Sequence, residues 1–332
     1  MALNPPNEAW LNQVQEPILD PERPIVDPHH HLWESPAWTY ALEELWADTG
    51  SGHTITKTVF IECRASYFEN GPDHLKPVGE TTFVEEIASS SRERSGSEIA
   101  GIVAHADLTH PKLDEILDAH QEAARGLLRG IRHSIARDPH PESLSIPGRG
   151  AEGLSTKESF RSGLQHLGER GYTYESWLYH HQIQEFKSLA ELAPGTTIIL
   201  DHFATPLGVG PYADQREEIF ECWREDIAAL AECPNVYAKL GGLAMPDNGF
   251  GWDRRDRPAT SDEFVEAQAR YYHHTIQCFG ADRCMFESNF PVDRTSISYA
   301  VLWNGLKKIA AQYSEPEQTA MFSETATRIY HL

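Results

Sequence analysis

The sequence predicts an α/β chain that closes as a (β/α)8 TIM barrel, with an N-terminal arm before it and extra helices at its C-terminal end. Three observations predict this. Short β-branched or aromatic runs alternate with longer segments of helical period along the chain. Eight such strand-then-helix units follow one another without interruption, and eight parallel strands joined by right-handed crossovers close a barrel. The residues with the most chemistry, histidines above all, fall where strands stop and loops begin, which is where barrels of this class place their sites. An open, doubly wound sheet is the alternative.

Residues 1–23 carry scattered prolines and read as an arm, leaving 24–332 as a single barrel domain. Pro24-Ile25-Val26 opens the first strand and leads into Asp27-Pro28-His29-His30-His31-Leu32-Trp33, followed by a short helix within Trp38–Thr49. Further strands are expected at Lys57–Cys63, Ile99–Ala106, Leu128–His133, Tyr172–Tyr179, Thr196–His202, Asn235–Leu240 and Arg283–Ser288. The helices between them are expected near Glu80–Arg94, Pro111–Ala123, Thr156–Arg170, His181–Leu192, Asp214–Ala231 and Ser261–Phe279. Ser261, with Glu263 and Glu266 behind it, suits a helix cap with an acidic first turn. Helices at Ile297–Gln312 and Glu315–Arg328 close the chain.

Composition narrows the partners. A formal charge of −22 without a basic patch excludes nucleic acid and anionic membrane surfaces as partners, which such a protein repels. No apolar run approaches the ~20 residues that span a bilayer, and the first residues lack a basic start and an apolar core, so a cytoplasmic protein is expected. Five cysteines without a Cys-x-x-Cys pair read as reduced thiols rather than a disulfide framework. A homo-oligomer is compatible with the sequence. Gly208-Val209-Gly210-Pro211-Tyr212-Ala213 imitates a dinucleotide fingerprint but has a proline inside the turn, and no serine elbow or phosphate-binding loop is present.

The chain contains 17 histidines. Alternate residues of a strand share a face, so His29 and His31 can project together while His30 turns away. Imidazole suits zinc, and a catalytic zinc takes three protein ligands and water. His29 and His31 with one later histidine meet that requirement; His202 is the first choice and His181 the second. One divalent ion, zinc by preference, is therefore expected as cofactor, with a metal-free site as the alternative. A small organic anion is the expected substrate, and Arg132 and Arg294 are the expected carboxylate clamp. Trp33, Tyr179 and Trp177 are expected to line the pocket, or simply to pack. His105 and His133 are expected to satisfy hydrogen bonds at the barrel rim.

Asp27-Pro28-His29-His30-His31-Leu32-Trp33, His181-Gln182, Leu200-Asp201-His202 and Met285-Phe286-Glu287-Ser288-Asn289-Phe290-Pro291-Val292 together resemble the amidohydrolase superfamily. The branch concerned is the metal-dependent barrel hydrolases that include sugar lactonases and the 2-pyrone-4,6-dicarboxylate lactonase. The resemblance implies a distorted (β/α)8 barrel with its site at the C-terminal mouth, a His-x-His pair from the first strand and usually an aspartate from the eighth. It implies hydrolysis of a small carboxylated lactone or related cyclic ester by activated water. A decarboxylase-type lyase and a non-catalytic anion-binding barrel are the alternatives.

The departure is Asn289, which stands where the family pattern has the aspartate that takes a proton from water. An amide can coordinate through its carbonyl oxygen but accepts no proton at neutral pH. Glu287, on the same face one layer deeper, is one substitute, with a structural ion pair to an arginine as its other reading. Asp293, beyond Pro291, is the second, its other reading being a loop or cap residue. Glu62 is a further acceptor, and Lys239 a buried amine.

Overall fold

The computed structural model describes residues 7–332. Eight parallel strands pair in sequence order: β1 (Pro24–His30), β2 (Thr54–Ile61), β3 (Glu98–Ala104), β4 (Leu128–Arg132), β5 (Thr173–Ser176), β6 (Ile198–Leu200), β7 (Val236–Leu240) and β8 (Cys284–Phe286). The fold is thus the expected (β/α)8 barrel. Its last strands are shorter than the apolar runs suggested, because Glu287, Ser288 and Asn289 leave the ladder to form the site.

The seam between β8 and β1 is closed by these departing residues. His31 N–H donates to Phe290 O at 2.8 Å and Asn289 N–H to His29 O at 3.0 Å. Asp27 completes the joint: its Oδ1 accepts from Ser288 N–H and its Oδ2 from the Tyr299 hydroxyl, both at 2.9 Å. The first and last motifs of the sequence therefore meet across one seam.

Side chains alternate across the barrel wall with period two. Phe60, Ile198, Leu200, Cys284 and Phe286 point outward into the core shared with the helices. Val59, Ile61, Ile199 and Met285 point inward, with Val26 and Val103. In β1 the register shifts between Asp27 and His30. Such a bulge re-aims the chain, so Val26 and His29 both face the interior. His30 turns to the other side and packs its ring against Phe60, as the alternation predicts.

The helices are α1 (Glu8–Leu11), α2 (Leu42–Thr49), α3 (Val78–Glu93), α4 (Leu113–Ala123), α5 (Glu158–Glu169), α6 (Ile183–Leu192), α7 (Arg216–Ala231), α8 (Ser261–Phe279), α9 (Tyr299–Ala310), α10 (Glu315–Thr319) and α11 (Thr325–Tyr330). The cap of α8 is Thr260 rather than Ser261: Thr260 Oγ1 accepts from Glu263 N–H and Thr260 N–H donates back to Glu263. Ser261 instead bonds Glu16 and pins the arm. Of the arm, residues 1–6 lie outside the described residues; the rest lies along α8 and α9, held by Asn304, Lys307 and Arg294. At the far end, Ala326, Ile329 and Tyr330 pack against the inward apolar layer and plug the barrel. No helix among the described residues is long and apolar enough to cross a membrane.

Replacing Asp27 by alanine leaves the Ser288 N–H and the Tyr299 hydroxyl buried without acceptors. We expect Asp27→Ala to lower unfolding free energy by about 2–4 kcal/mol in urea titration; a loss below about 1 kcal/mol would show that the seam does not depend on this carboxylate.

Candidate active site

Above the inward apolar layer lies a layer of buried charge. Lys239 Nζ donates to Glu175 Oε2 at 2.6 Å and lies 3.6 Å from Asp201 Oδ1 and 3.2 Å from His29 Nδ1. Glu175 also accepts from the Tyr330 hydroxyl. Arg132 donates to Glu62 Oε1 at 3.0 Å, to Asp201 Oδ2 at 3.2 Å and to the Glu62 carbonyl. Glu287 reaches two histidines: its Oε1 is 2.7 Å from His202 Nδ1 and its Oε2 2.9 Å from His29 Nδ1.

A cavity of about 590 Å³ opens over this layer, within the range of small-molecule sites. Among its lining residues are His31, Glu62, His105, Arg132, His133, His202 and Asn289, with Trp33 and Trp177 as aromatic walls. Arg64 and Arg149 line it from exposed positions, and neither has a carboxylate partner among the described residues.

The backbone that presents this wall is unusual at two strand ends. His202, Phe203, Ala204 and Thr205 form a left-handed turn with φ of 52°, 56°, 58° and 37°, and Asn289 has φ of 55°. Non-glycine residues there cost on the order of 1 kcal/mol each and persist only where surroundings hold them. Trp223 Nε1–H donates to Phe203 O and Trp177 Nε1–H to Thr205 Oγ1, which hold the turn. Space for the side chains comes from two glycines after β7. A Cβ at Gly241 would lie 2.4 Å from Glu287 Cγ, and one at Gly242 2.3 Å from His202 Nδ1.

Burial drives much of the site's ionisation. It holds His29 well below the ordinary histidine value, reinforced by Lys239, and does the same to His31 with help from Arg132. Burial opposes protonation of His202 too, but the adjacent Glu287 carboxylate outweighs it and raises His202 above the ordinary value. Asp201 is held low against its burial by Lys239 and Arg132. Burial pushes Asp293 up to about 7, with His202 opposing.

His29, His202 and Glu287 each offer a donor atom within 4.8 Å of the others. Within that set the buried His29 Nε2 has no hydrogen-bond partner, and Glu287 Oε2 faces His29 without hydrogen-bond geometry. Unpaired buried donors of this type fit a divalent ion. His29, Glu175 and Asp201 form a second such set. The Lys239 ammonium already sits among those atoms, so that set is filled. His31 stands beside the first, its ring 4.9 Å from that of His29; its Nδ1 donates to Ile61 O at 2.8 Å, which leaves Nε2 bare.

Several expected residues lie elsewhere. Arg132 lines the cavity, but its guanidinium is largely taken up by Glu62 and Asp201. Arg294 is not a substrate clamp: it pairs with Asp48 at 3.0 Å and with Glu8 at 2.6 Å, holding the arm to the rim. His181 is exposed, bonds the Arg137 carbonyl and does not line the cavity. Tyr179 is buried behind the wall, where its hydroxyl accepts from Gly148 N–H and donates to Ile146 O, propping the loop that carries Arg149. Glu287 is paired with two histidines rather than an arginine. Asp293 is not at the cavity surface; it accepts from Asn289 Nδ2 at 2.8 Å and Ala244 N–H at 3.0 Å, which leaves Asn289 Oδ1 to the cavity. Sequence reasoning missed Arg149, Gly241 and Gly242. The adjacent Gly-Gly after β7 was the one available signal, since paired glycines mark close approach.

Histidines at the ends of β1 and β6, a carboxylate after β8 and a polar mouth thus gather at one end of the barrel. A sequence model described as amidohydrolase matches residues 26–332, and the chain belongs to that family. The y4mH protein of Sinorhizobium fredii is 33% identical over 322 residues, spanning 93% of this chain and 98% of that protein. The L-fucono-1,5-lactonase of Burkholderia multivorans is 24% identical over 325 residues, 92% of this chain and 96% of the lactonase. A crystal structure of an amidohydrolase from Burkholderia multivorans with bound zinc shares the fold with a TM-score of 0.73 at 22% identity, covering 93% of this chain and 99% of that one.

Three outcomes follow for the buried charges. Lys239→Met strands Glu175, leaves Asp201 with Arg132 alone, and should cost about 3–5 kcal/mol in chemical denaturation; an unchanged midpoint would mean that Glu175 is neutral. Asn289→Asp places two carboxylates 2.8 Å apart, so we expect lower stability at neutral pH and no gain of activity; a more active variant would overturn the view that the amide belongs to this site. Glu80 accepts from Cys63 N–H and Ala65 N–H under the rim, and burial, reinforced by Glu62, pushes its carboxyl from 4.5 to about 8. The folded state then keeps a proton that the unfolded chain has lost, so this contribution is full below 4.5 and disappears as pH rises to 8. Unfolding titrations across that window should show a decline in the wild type that Glu80→Gln makes shallower, and equal slopes would refute it.

Proposed function

We propose that this amidohydrolase hydrolyses a small carboxylated lactone or related cyclic ester with activated water. The observation that carries the reading is one cavity whose lining includes His202 of the buried His29, His202 and Glu287 set, with two arginines at its mouth that have no carboxylate partner among the described residues. The L-fucono-1,5-lactonase relative supports lactone chemistry.

Arg64 and Arg149 receive the substrate carboxylate, a task that a guanidinium performs with two parallel hydrogen bonds. Trp33 and Trp177 cover the ring and exclude water. Asn289 Oδ1, fixed by the amide's bond to Asp293, accepts a hydrogen bond from the attacking water. His31 Nε2, bare because Nδ1 donates to Ile61 O, takes the water's proton in place of the strand-eight base that Asn289 cannot supply, and, being held low by burial, passes it to the ring oxygen as the acyl C–O bond breaks and the hydroxy acid leaves. His29, His202 and Glu287 would hold a divalent ion, zinc by preference. Bound there, the ion would polarise the carbonyl and lower the pKa of water.

Turnover of L-fucono-1,5-lactone and 2-pyrone-4,6-dicarboxylate, followed as acid release with metal content measured in parallel, tests the reading. The carboxylated probe should be preferred, and Arg64→Ala should raise its KM by about ten- to a hundredfold. His29→Ala should abolish both turnover and zinc retention. Wild-type protein inert to both probes, or His29→Ala with unchanged turnover, would sink the assignment.

A further inference from the structure

His105 and His133 stand side by side at the ends of β3 and β4, across the barrel from the β7 and β8 side of the site. Both line the cavity, and their rings are 5.4 Å apart at 82°. Their tautomers are opposite. His105 Nδ1 lies 3.0 Å from the Arg132 carbonyl, which can only accept, so the proton is on Nδ1 and Nε2 is a bare acceptor. His133 Nδ1 accepts from the Leu108 N–H at 3.2 Å, so its proton is on Nε2, which donates. Burial holds His133 at about 4 and keeps that ring neutral. The wall thus carries one acceptor and one donor, each fixed by a backbone group behind it. Arg64 lies close enough for its charge to act on His133, and it has no carboxylate partner among the described residues.

We propose that His105 and His133 read a hydroxyl group that neighbours the substrate carboxylate held by Arg64, so that the substrate is a hydroxylated carboxylate. A hydroxyl is the group that donates and accepts at one oxygen: its hydrogen goes to His105 Nε2 and its oxygen accepts from His133 Nε2–H. A hydrogen, a ketone or a methyl ether in its place leaves at least one ring nitrogen without its partner, and such mismatches discriminate strongly between substrates. The inference rests on the reading of the cavity as an anion site and adds the second functional group.

Binding of D-malate, L-malate and succinate to the full-length protein by calorimetry tests it without any need for turnover. One malate enantiomer should bind at least about tenfold more tightly than succinate. His105→Leu and His133→Leu should bring the two within about twofold, whereas Arg64→Ala should weaken both alike. Equal affinities in the wild type, or a malate preference that survives in both leucine variants, would overturn the proposal. Nitrogen-15 shifts of the wild-type imidazoles serve if a variant fails to fold: a proton on His105 Nε2, or none on His133 Nε2, would also overturn it. A malate preference without lactone hydrolysis would strike the proposed reaction alone. Hydrolysis without the preference would strike this pair alone.

Discussion

The structure depends most on the pairing of charge in the layer where the barrel interior meets the cavity. Glu62, Glu175, Asp201 and Glu287 are all withdrawn from water, and isolated carboxylates there would each cost several kcal/mol. Arg132 and Lys239 neutralise them from β4 and β7, each touching more than one acid. Glu287 stands apart from both cations and is met by two histidines. That local surplus of negative charge makes its position the natural seat for a cation, whether a proton on His202 or a metal ion.

The seam turns this layer into a site. β8 is short, and the residues after it bend across to β1, so His29 comes into contact with Glu287 and with Asn289 backbone although they are more than 250 positions apart. Glu287 N–H still donates to Leu240 O and Asn289 N–H to His29 O, while Asp27, itself held by the Tyr299 hydroxyl, takes the Ser288 N–H between them. The left-handed turn at His202 is tolerated for a related reason: indoles of Trp223 and Trp177 satisfy its groups, and Gly242 leaves room for the ring.

Much of this was legible in advance. The alternation of the strands, the number of units and the facing of His29 and His31 follow from local periodicity, which survives folding because the barrel imposes the same period. His202, Glu287 and Asn289 were legible because they stand at strand ends, where chain order fixes which loops gather. Arg294 was misread as a clamp because a sequence does not display which carboxylate a guanidinium meets; Arg132 does line the cavity, where it also meets Glu62 and Asp201. Arg294 met Asp48 and Glu8 from remote segments, while Arg149, in a Pro/Gly-rich loop without a period, arrived at the mouth because Tyr179 props that loop.

By itself the sequence determined the barrel, the inward pair of histidines and the loss of the strand-eight acid, since each depends on residue type and local spacing. Only the tertiary structure decided which polar groups are left without a side-chain or backbone partner among the described residues: His29 Nε2, the guanidiniums of Arg64 and Arg149, and the opposed ring nitrogens of His105 and His133. Hydrogen-bond satisfaction is a property of whole neighbourhoods, built from groups far apart in the chain. A residue's chemistry can therefore be read from its name, but its availability for function depends on what already holds it.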